Sequence, residues 1–211
     1  TPLLAGRPIN PAIRRLDIGG KHLSNYLAEL ISLRHFSLID EPHIVSQIKE
    51  DACFLSSDFQ SDLEAAKAKH SSIVVDYVLP DYETHHRGFT RPHDPSYRAK
   101  MERLGVKQPT DPLATREEVF PLGNERFVVP EILFTPSDIA MPQCGIAETL
   151  FQSLSTLPEL LWQPFLANIL LVGGNTLIPG FVERVEKGVR MLAPEDMVVR
   201  VRRAENPITS T

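Results

Sequence analysis

Twice along this chain a short strand-like run stops at a pair of glycines and gives way to helix-forming sequence: Ile18-Gly19-Gly20-Lys21 and Val172-Gly173-Gly174-Asn175. A strand that restarts as a helix commits the chain to an alternating α/β plan, because the helix must cover the sheet to which the strand belongs. Glycine also lets backbone approach a neighbour closely, and the first turn of a helix presents N–H groups with no partner inside the helix. Two readings stay open for each turn: a cradle for a polar or anionic ligand, or a tight turn needing positive φ. Neither pair fits the P-loop or dinucleotide-binding patterns, which sets those classes aside.

The flanking sequence fills in the alternation. Residues 14–18 read as a short strand. After Gly20, Leu23, Tyr26, Leu27, Leu30 and Ile31 recur at helical spacing as one apolar stripe. Asp40 ahead of Pro42 predicts a helix capped by the aspartate, with Ile44, Val45, Ile48 and Ala52 facing inward. A short polar helix is expected over 61–69 and a strand over 72–79. Further on, 125–129 reads as a strand stopped by Pro130. Ile146, Leu150, Leu154 and Leu157 mark a helix opening after Gly145. A second helical piece over 160–166 leads to a strand at 168–172. The helix from Pro179 turns Phe181, Val185, Val189 and Leu192 inward, and 198–201 is the last strand.

With 211 residues, 42% of them apolar, a substantial core is expected. A net charge of −5 gives no support to a free-standing nucleic-acid binder. Cys53 and Cys144 lie far apart without metal-type spacing and read as buried free thiols. No apolar run is long enough for a membrane span, and no signal peptide opens the chain. Residues 1–13 form an extended lead with Pro2, Pro8 and Pro11, and both ends read as the interior of something longer.

Residues 82–121 break the pattern. They hold five prolines, three of the seven histidines, seven Arg/Lys and six Asp/Glu, with little apolar periodicity. A stretch of that length without core periodicity reads as an insertion that binds a partner or stays disordered, with a short helix near 97–104. Its scattered apolar residues (Phe89, Tyr97, Met101, Leu104, Val106, Leu113 and Phe120) suit ordering on a partner.

Several chemistry-bearing residues have plain structural explanations. Lys49-Glu50 on a helix is solvation unless that helix borders a cleft, where the carboxylate could accept from a sugar hydroxyl and the lysine could pack along a base. His85, His86 and His93 face no second ligand cluster and read as a solvated loop rather than a metal site. Asp76, amid Val74-Val75 and Tyr77-Val78, is expected to point out of its strand. Arg200, Arg202 and Arg203 read as a solvated edge that discourages strand pairing, with nucleic-acid contact as the alternative. No nucleophile–base or paired-carboxylate arrangement is legible.

Four segments in order then carry a resemblance. These are Arg14-Arg15-Leu16-Asp17-Ile18-Gly19-Gly20, Ile48-Lys49-Glu50-Asp51-Ala52-Cys53-Phe54, Gly123-Asn124-Glu125-Arg126-Phe127, and the run from Leu171 through Gly173-Gly174-Asn175 to Phe181. Together they resemble the C-terminal half of the actin fold, subdomains three and four, over 14–81 and 122–211. Details such as Asp76-Tyr77-Val78-Leu79-Pro80-Asp81, Pro136-Ser137-Asp138-Ile139 and Glu205-Asn206-Pro207-Ile208-Thr209 resemble the nuclear actin-related protein six family.

That resemblance implies a non-catalytic scaffold in the nucleus, with the cytoplasm as a second location, and no membrane. The implied host is an SWR-type remodeller that exchanges a histone variant into nucleosomes, and the implied partners are its other protein subunits. Nucleosome or histone contact would be indirect, and DNA contact is left open. The resemblance also implies a weak or vestigial nucleotide site at Gly20, Lys49, Glu50, Gly174, Asn175 and Leu177. ATP or ADP with magnesium is then expected for a longer protein, none for this piece, and no metal site or catalytic residue within it. Three positions depart from actin: Ser46 replaces a basic residue bordering the adenosine, Ile178 an aromatic beside the adenine, and Ile208 a lysine near the base. The phosphate loops of an actin would lie upstream of Thr1. A nucleotide-regulated ATPase and a filament-forming homologue are the competing readings.

Overall fold

The apolar stripe after Gly20 becomes α1 (Gly20–Arg34), in a computed structural model that describes residues 1–68, 71–83, 85–94 and 118–209. The chain divides into two units. The first comprises Thr1–Leu23, Phe54–Ser57 and Phe127–Thr211, the second Ser24–Cys53 and Asp58–Arg126.

The second unit is built on β3 (Val75–Val78), the central strand of an antiparallel sheet with β4 (Phe89–Pro92) on one side and β5 (Val119–Leu122) on the other. Val75 pairs with Pro92 and Leu122, and Tyr77 with Thr90 and Phe120. Pro92 and Pro121 both sit in outer strands, where a missing N–H interrupts no central ladder. The chain turns after β3 because the Asp81 carboxylate accepts the N–H groups of Glu83 at 3.1 Å and His85 at 2.7 Å. Also in this unit are α2 (Pro42–Ala52) and α3 (Phe59–Lys67). The unit's core draws on Leu27 and Ile31 of α1, Val45 and Ile48 of α2, and Tyr77, Phe120 and Leu122 of the sheet. The Phe120 ring lies 5.3 Å from those of Phe36 and His35.

The first unit carries α4 (Glu125–Glu131, from Phe127 onward), α5 (Ile146–Leu154), α6 (Trp162–Leu166) and α7 (Phe181–Leu192). With them are a two-residue hairpin, β1 (Leu3–Leu4) with β2 (Arg7–Pro8), and a parallel pair, β6 (Ile169–Leu171) with β7 (Val201–Arg203). Glycines set its closest approaches. A Cβ on Gly145 would lie 1.9 Å from the Phe134 carbonyl oxygen. One on Gly180 (φ +82°) would lie 2.5 Å from that of Leu55, and one on Gly188 of α7 would meet Ala147 of α5 at 2.8 Å. Arg184 binds Glu131 at 2.6 Å and stacks 4.6 Å above the Phe134 ring.

The structure corrects several expectations. Residues 14–18 are not a strand: the Gln143 side-chain oxygen takes the Asp17 N–H at 3.3 Å, and Arg14 curls back onto the Pro11 carbonyl at 2.9 Å. Residues 125–129 are helical, because the Glu125 carboxylate accepts the Gly123 N–H at 2.9 Å and holds the first turn despite the β-forming Val128-Val129. Asp40 does not cap α2; Glu41 holds that position without a side-chain bond. The last strand starts at Val201, since the Gln163 side chain holds the Val198 N–H at 3.1 Å. Cys53 is buried, but Cys144 is only half-buried. The stretch 82–121 contributes to a core after all: β4 and most of β5 fall inside it, and Phe120 is buried. The expected helix at 97–104 lies outside the described residues.

Candidate functional site

In the first unit the strand after α6 ends at Leu171, and Gly173, two residues on, takes φ +101°, a value disfavoured for any residue with a Cβ. That conformation turns the chain into a single 3-10 turn, Gly174–Leu177. The turn is fixed from both sides. Gly173 donates its N–H to the Pro207 carbonyl at 2.6 Å, and its own carbonyl accepts the Thr176 hydroxyl at 2.8 Å. Gly20, the first residue of α1, belongs to the same unit. The two glycine turns meet there: a Cβ on Gly20 would stand 2.8 Å from the Asn175 side-chain oxygen. Over Gly19, Gly173 and Gly174 an added Cβ would have no neighbour within 4 Å. Two backbone segments thus face open space beside one amide side chain, a geometry able to receive a flat or polar group.

Leu177 is 47% exposed at the end of the turn, whereas Ile178 after it is buried. Ile208 is 63% exposed. Neither isoleucine can stack on or ion-pair with a base.

In the second unit α2 carries Lys49 and Glu50. The Lys49 ammonium donates to the Ser24 hydroxyl of α1 at 2.9 Å, and Glu50 is exposed. Ser46 sits half-buried one turn earlier. Of the six residues singled out from sequence, the structure brings Gly20 and Asn175 together and sets Gly174 and Leu177 in the same turn. Lys49 and Glu50 share the helix of the other unit.

Sequence reasoning missed several polar arrangements. Asp76 does not point outward: it is buried in the middle of β3 and accepts from His93 Nδ1 at 2.6 Å. This removes His93, though not His85 or His86, from the solvated-loop reading. An aspartate inside a β-forming run and a histidine just past a proline were the available signal. Arg126 donates to the Ala52 carbonyl at 2.8 Å and to that of Ile73, and burial pulls its pKa down. Glu125 is buried and bound by Arg34. The Tyr77 hydroxyl donates to Asp51 at 3.3 Å, and its pKa is raised by burial first and the Asp51 charge second. Asp51 also holds Arg87 at 2.7 Å and raises its pKa. Burial pushes the Cys53 thiol up to about 12, so it is protonated and unreactive at neutral pH.

Arg202 and Arg203 are engaged internally, Arg202 on the Asn168 side chain and Arg203 on the Thr176 carbonyl at 3.1 Å. Among the described residues no group of three or more His, Cys, Asp or Glu side chains could hold a metal ion. No helix among them is long and apolar enough to cross a membrane.

Paired glycine turns in one unit, and a lysine–glutamate helix in the other, are what the actin resemblance requires locally. The actin family profile matches residues 1–211, and the chain belongs to the actin family. Over 220 residues it is 52% identical to Actin-like protein arp6 of Aspergillus fumigatus, an alignment covering 100% of this chain and 47% of that protein. Actin-related protein 6 of Drosophila melanogaster is 40% identical over 98% of this chain and 49% of its own length. For Actin-related protein 6 of Arabidopsis thaliana the figures are 36%, 98% and 51%. The chain spans about half the length of the curated relatives it matches.

Proposed function

We propose that the chain is part of a non-catalytic, actin-related scaffold subunit of a nuclear chromatin-remodelling assembly, one that exchanges a histone variant into nucleosomes. The observation that carries this reading is the burial of Ile178, the position where the resemblance calls for an aromatic beside the adenine. An aromatic or cationic neighbour to a base contributes about 1–3 kcal/mol. With Ile208 apolar and Ser46 uncharged, three such contacts are absent from these positions, and binding weakens accordingly. The residues do not fit a magnesium nucleotide well either. Among Gly20, Lys49, Glu50, Gly174, Asn175 and Leu177 there is one carboxylate, and the Lys49 ammonium is already bound to Ser24.

Binding to other protein subunits is then the task that remains, and histone or DNA contact would follow through them. The mixed charge and prolines of 82–121 support a partner role for that stretch. Within that stretch β4 and β5 belong to the sheet of the second unit.

One observation favours the nucleotide-regulated ATPase instead: the open backbone over Gly19, Gly173 and Gly174. Calorimetry of the full-length protein with ATP and magnesium, alongside phosphate release, separates the two. The scaffold reading expects weak binding and no release; tight binding with turnover establishes the rival.

A further inference from the structure

The three-stranded sheet of the second unit has β4 on one side and β5 on the other, and an outer strand is where a foreign strand can pair. Which backbone groups such a strand would meet follows from the register. Along an antiparallel ladder, pairs that exchange both N–H···O bonds alternate with pairs that exchange none. The Leu79 N–H binds the Glu118 carbonyl at 2.9 Å, so that pair is of the bonded kind. Counting back by two, Tyr77↔Phe120 and Val75↔Leu122 are bonded pairs, whereas Val78↔Val119 and Asp76↔Pro121 are not. Asp76 and Val78 therefore aim their N–H and C=O groups at β4, where they meet Arg91 and Phe89.

The positions whose backbone groups face outward are then Thr90 and Pro92 on β4, and Val119 and Pro121 on β5. Each edge alternates one ordinary residue with one proline. Pro92 and Pro121 offer no N–H, and the ring carbon that replaces it obstructs an incoming carbonyl. Side chains beside β5 close what its proline leaves open. His35 Nε2 donates to the outward Pro121 carbonyl at 3.1 Å, and the His35 ring lies 5.3 Å from that of Phe120. At the next outward position, Gly123, the N–H is bound by the Glu125 carboxylate at 2.9 Å. A newcomer strand bonds at every second residue, so on either edge it meets one N–H and then a proline.

We propose that this sheet is sealed at both edges against strand addition, so that it neither pairs with a second copy nor takes up an extended partner segment as a further strand. Folding alone explains why each proline stands at an outward position, since an inward one would break the ladder. It does not explain why the outward Pro121 carbonyl is also covered by His35 and the following outward N–H by Glu125. A partner of this unit is thereby left with side-chain contacts. The sealing lies in the second unit alone and is independent of the remodeller reading.

The test uses the full-length protein, its Pro92→Thr and Pro121→Thr variants singly and together, and a fluorescent peptide with the sequence of 72–79, a β-forming segment that spans β3. Each variant turns a proline into a residue whose N–H can join a ladder. Fluorescence anisotropy should show the peptide binding the double variant about tenfold more tightly than the parent, and each single variant in between. His35→Ala, which frees one carbonyl and keeps both prolines, should raise affinity by a smaller factor. In sedimentation velocity the double variant should associate as its concentration rises, beyond anything the parent shows. Melting temperatures establish which variants are folded, and the single variants carry the result where the double one is not. Peptide binding that is the same for the parent and the folded variants, absent binding included, would overturn the proposal. So would parent dimers that Thr90→Pro or Val119→Pro dissolves.

Discussion

Charged side chains fasten loops in both units, but among the described residues the glycines packed against backbone, Gly145 and Gly180, lie in the first. Arg126 on two carbonyls, Glu125 on the Gly123 N–H and His93 on Asp76 are bonds made by long side chains to particular acceptors. Gly145 against Phe134, Gly180 against Leu55 and Gly188 against Ala147 are approaches made by removing side chain altogether. The contrast teaches where each unit is vulnerable. A glycine against backbone leaves no room to relax, whereas a polar tie can be weakened by degrees.

The largest effect is expected at Gly145→Ala, whose Cβ would stand 1.9 Å from a backbone oxygen. A loss above about 4 kcal/mol should abolish the cooperative melting transition seen by calorimetry. A transition near that of the parent protein would break the comparison outright. Next comes Arg126→Met, which strands the Ala52 and Ile73 carbonyls and should cost about 3 kcal/mol in denaturant unfolding. Asp76→Asn, which weakens the bond to His93 without removing it, should cost about 1–2 kcal/mol. Equal losses for these two would mean that the second unit is not held by graded polar ties.

Cys53 adds a pH signature. Its thiol is held above its ordinary value of 9.0, at about 12, so the folded state keeps a proton that the unfolded chain releases. The contribution is complete below about pH 9 and is lost as pH rises toward 12. Denaturant unfolding across that range should show the decline in the parent and lack this component in Cys53→Ala. The smallest effect belongs to Gly20→Ala. The atom it meets at 2.8 Å is the end of the Asn175 side chain, which can swing away, so stability should fall by less than about 1 kcal/mol. A loss matching that of Gly145→Ala would show Asn175 to be as fixed as backbone.

Much of the fold was legible because it was written in periodicity. The stripe from Leu23 to Ile31 and that from Phe181 to Val189 gave α1 and α7, and Val74-Val75 with Tyr77-Val78 located β3. What misled was local propensity set against distant partners. Val128-Val129 favours a strand, yet a carboxylate two residues past Gly123 nucleates a helix there. Arg14–Ile18 looks extended, yet its ladder donor goes to Gln143, 126 positions away. Of the candidate site, the glycine turns could be read from the residues, but that Gly20 and Asn175 belong together came only from the family resemblance, since no spacing relates Gly20 to a residue so far along. The Lys49–Ser24 bond was hidden in the same way.

The scaffold account is tested most directly by histone-variant exchange in a reconstituted remodelling assembly. Three samples are compared: the parent full-length protein, its Lys49→Ala/Glu50→Ala variant, and the assembly prepared without the subunit. The account predicts equal exchange rates for the first two and loss of exchange in the third. Failure of the variant, with every subunit still bound, would contradict it and make nucleotide contact a working part of the protein.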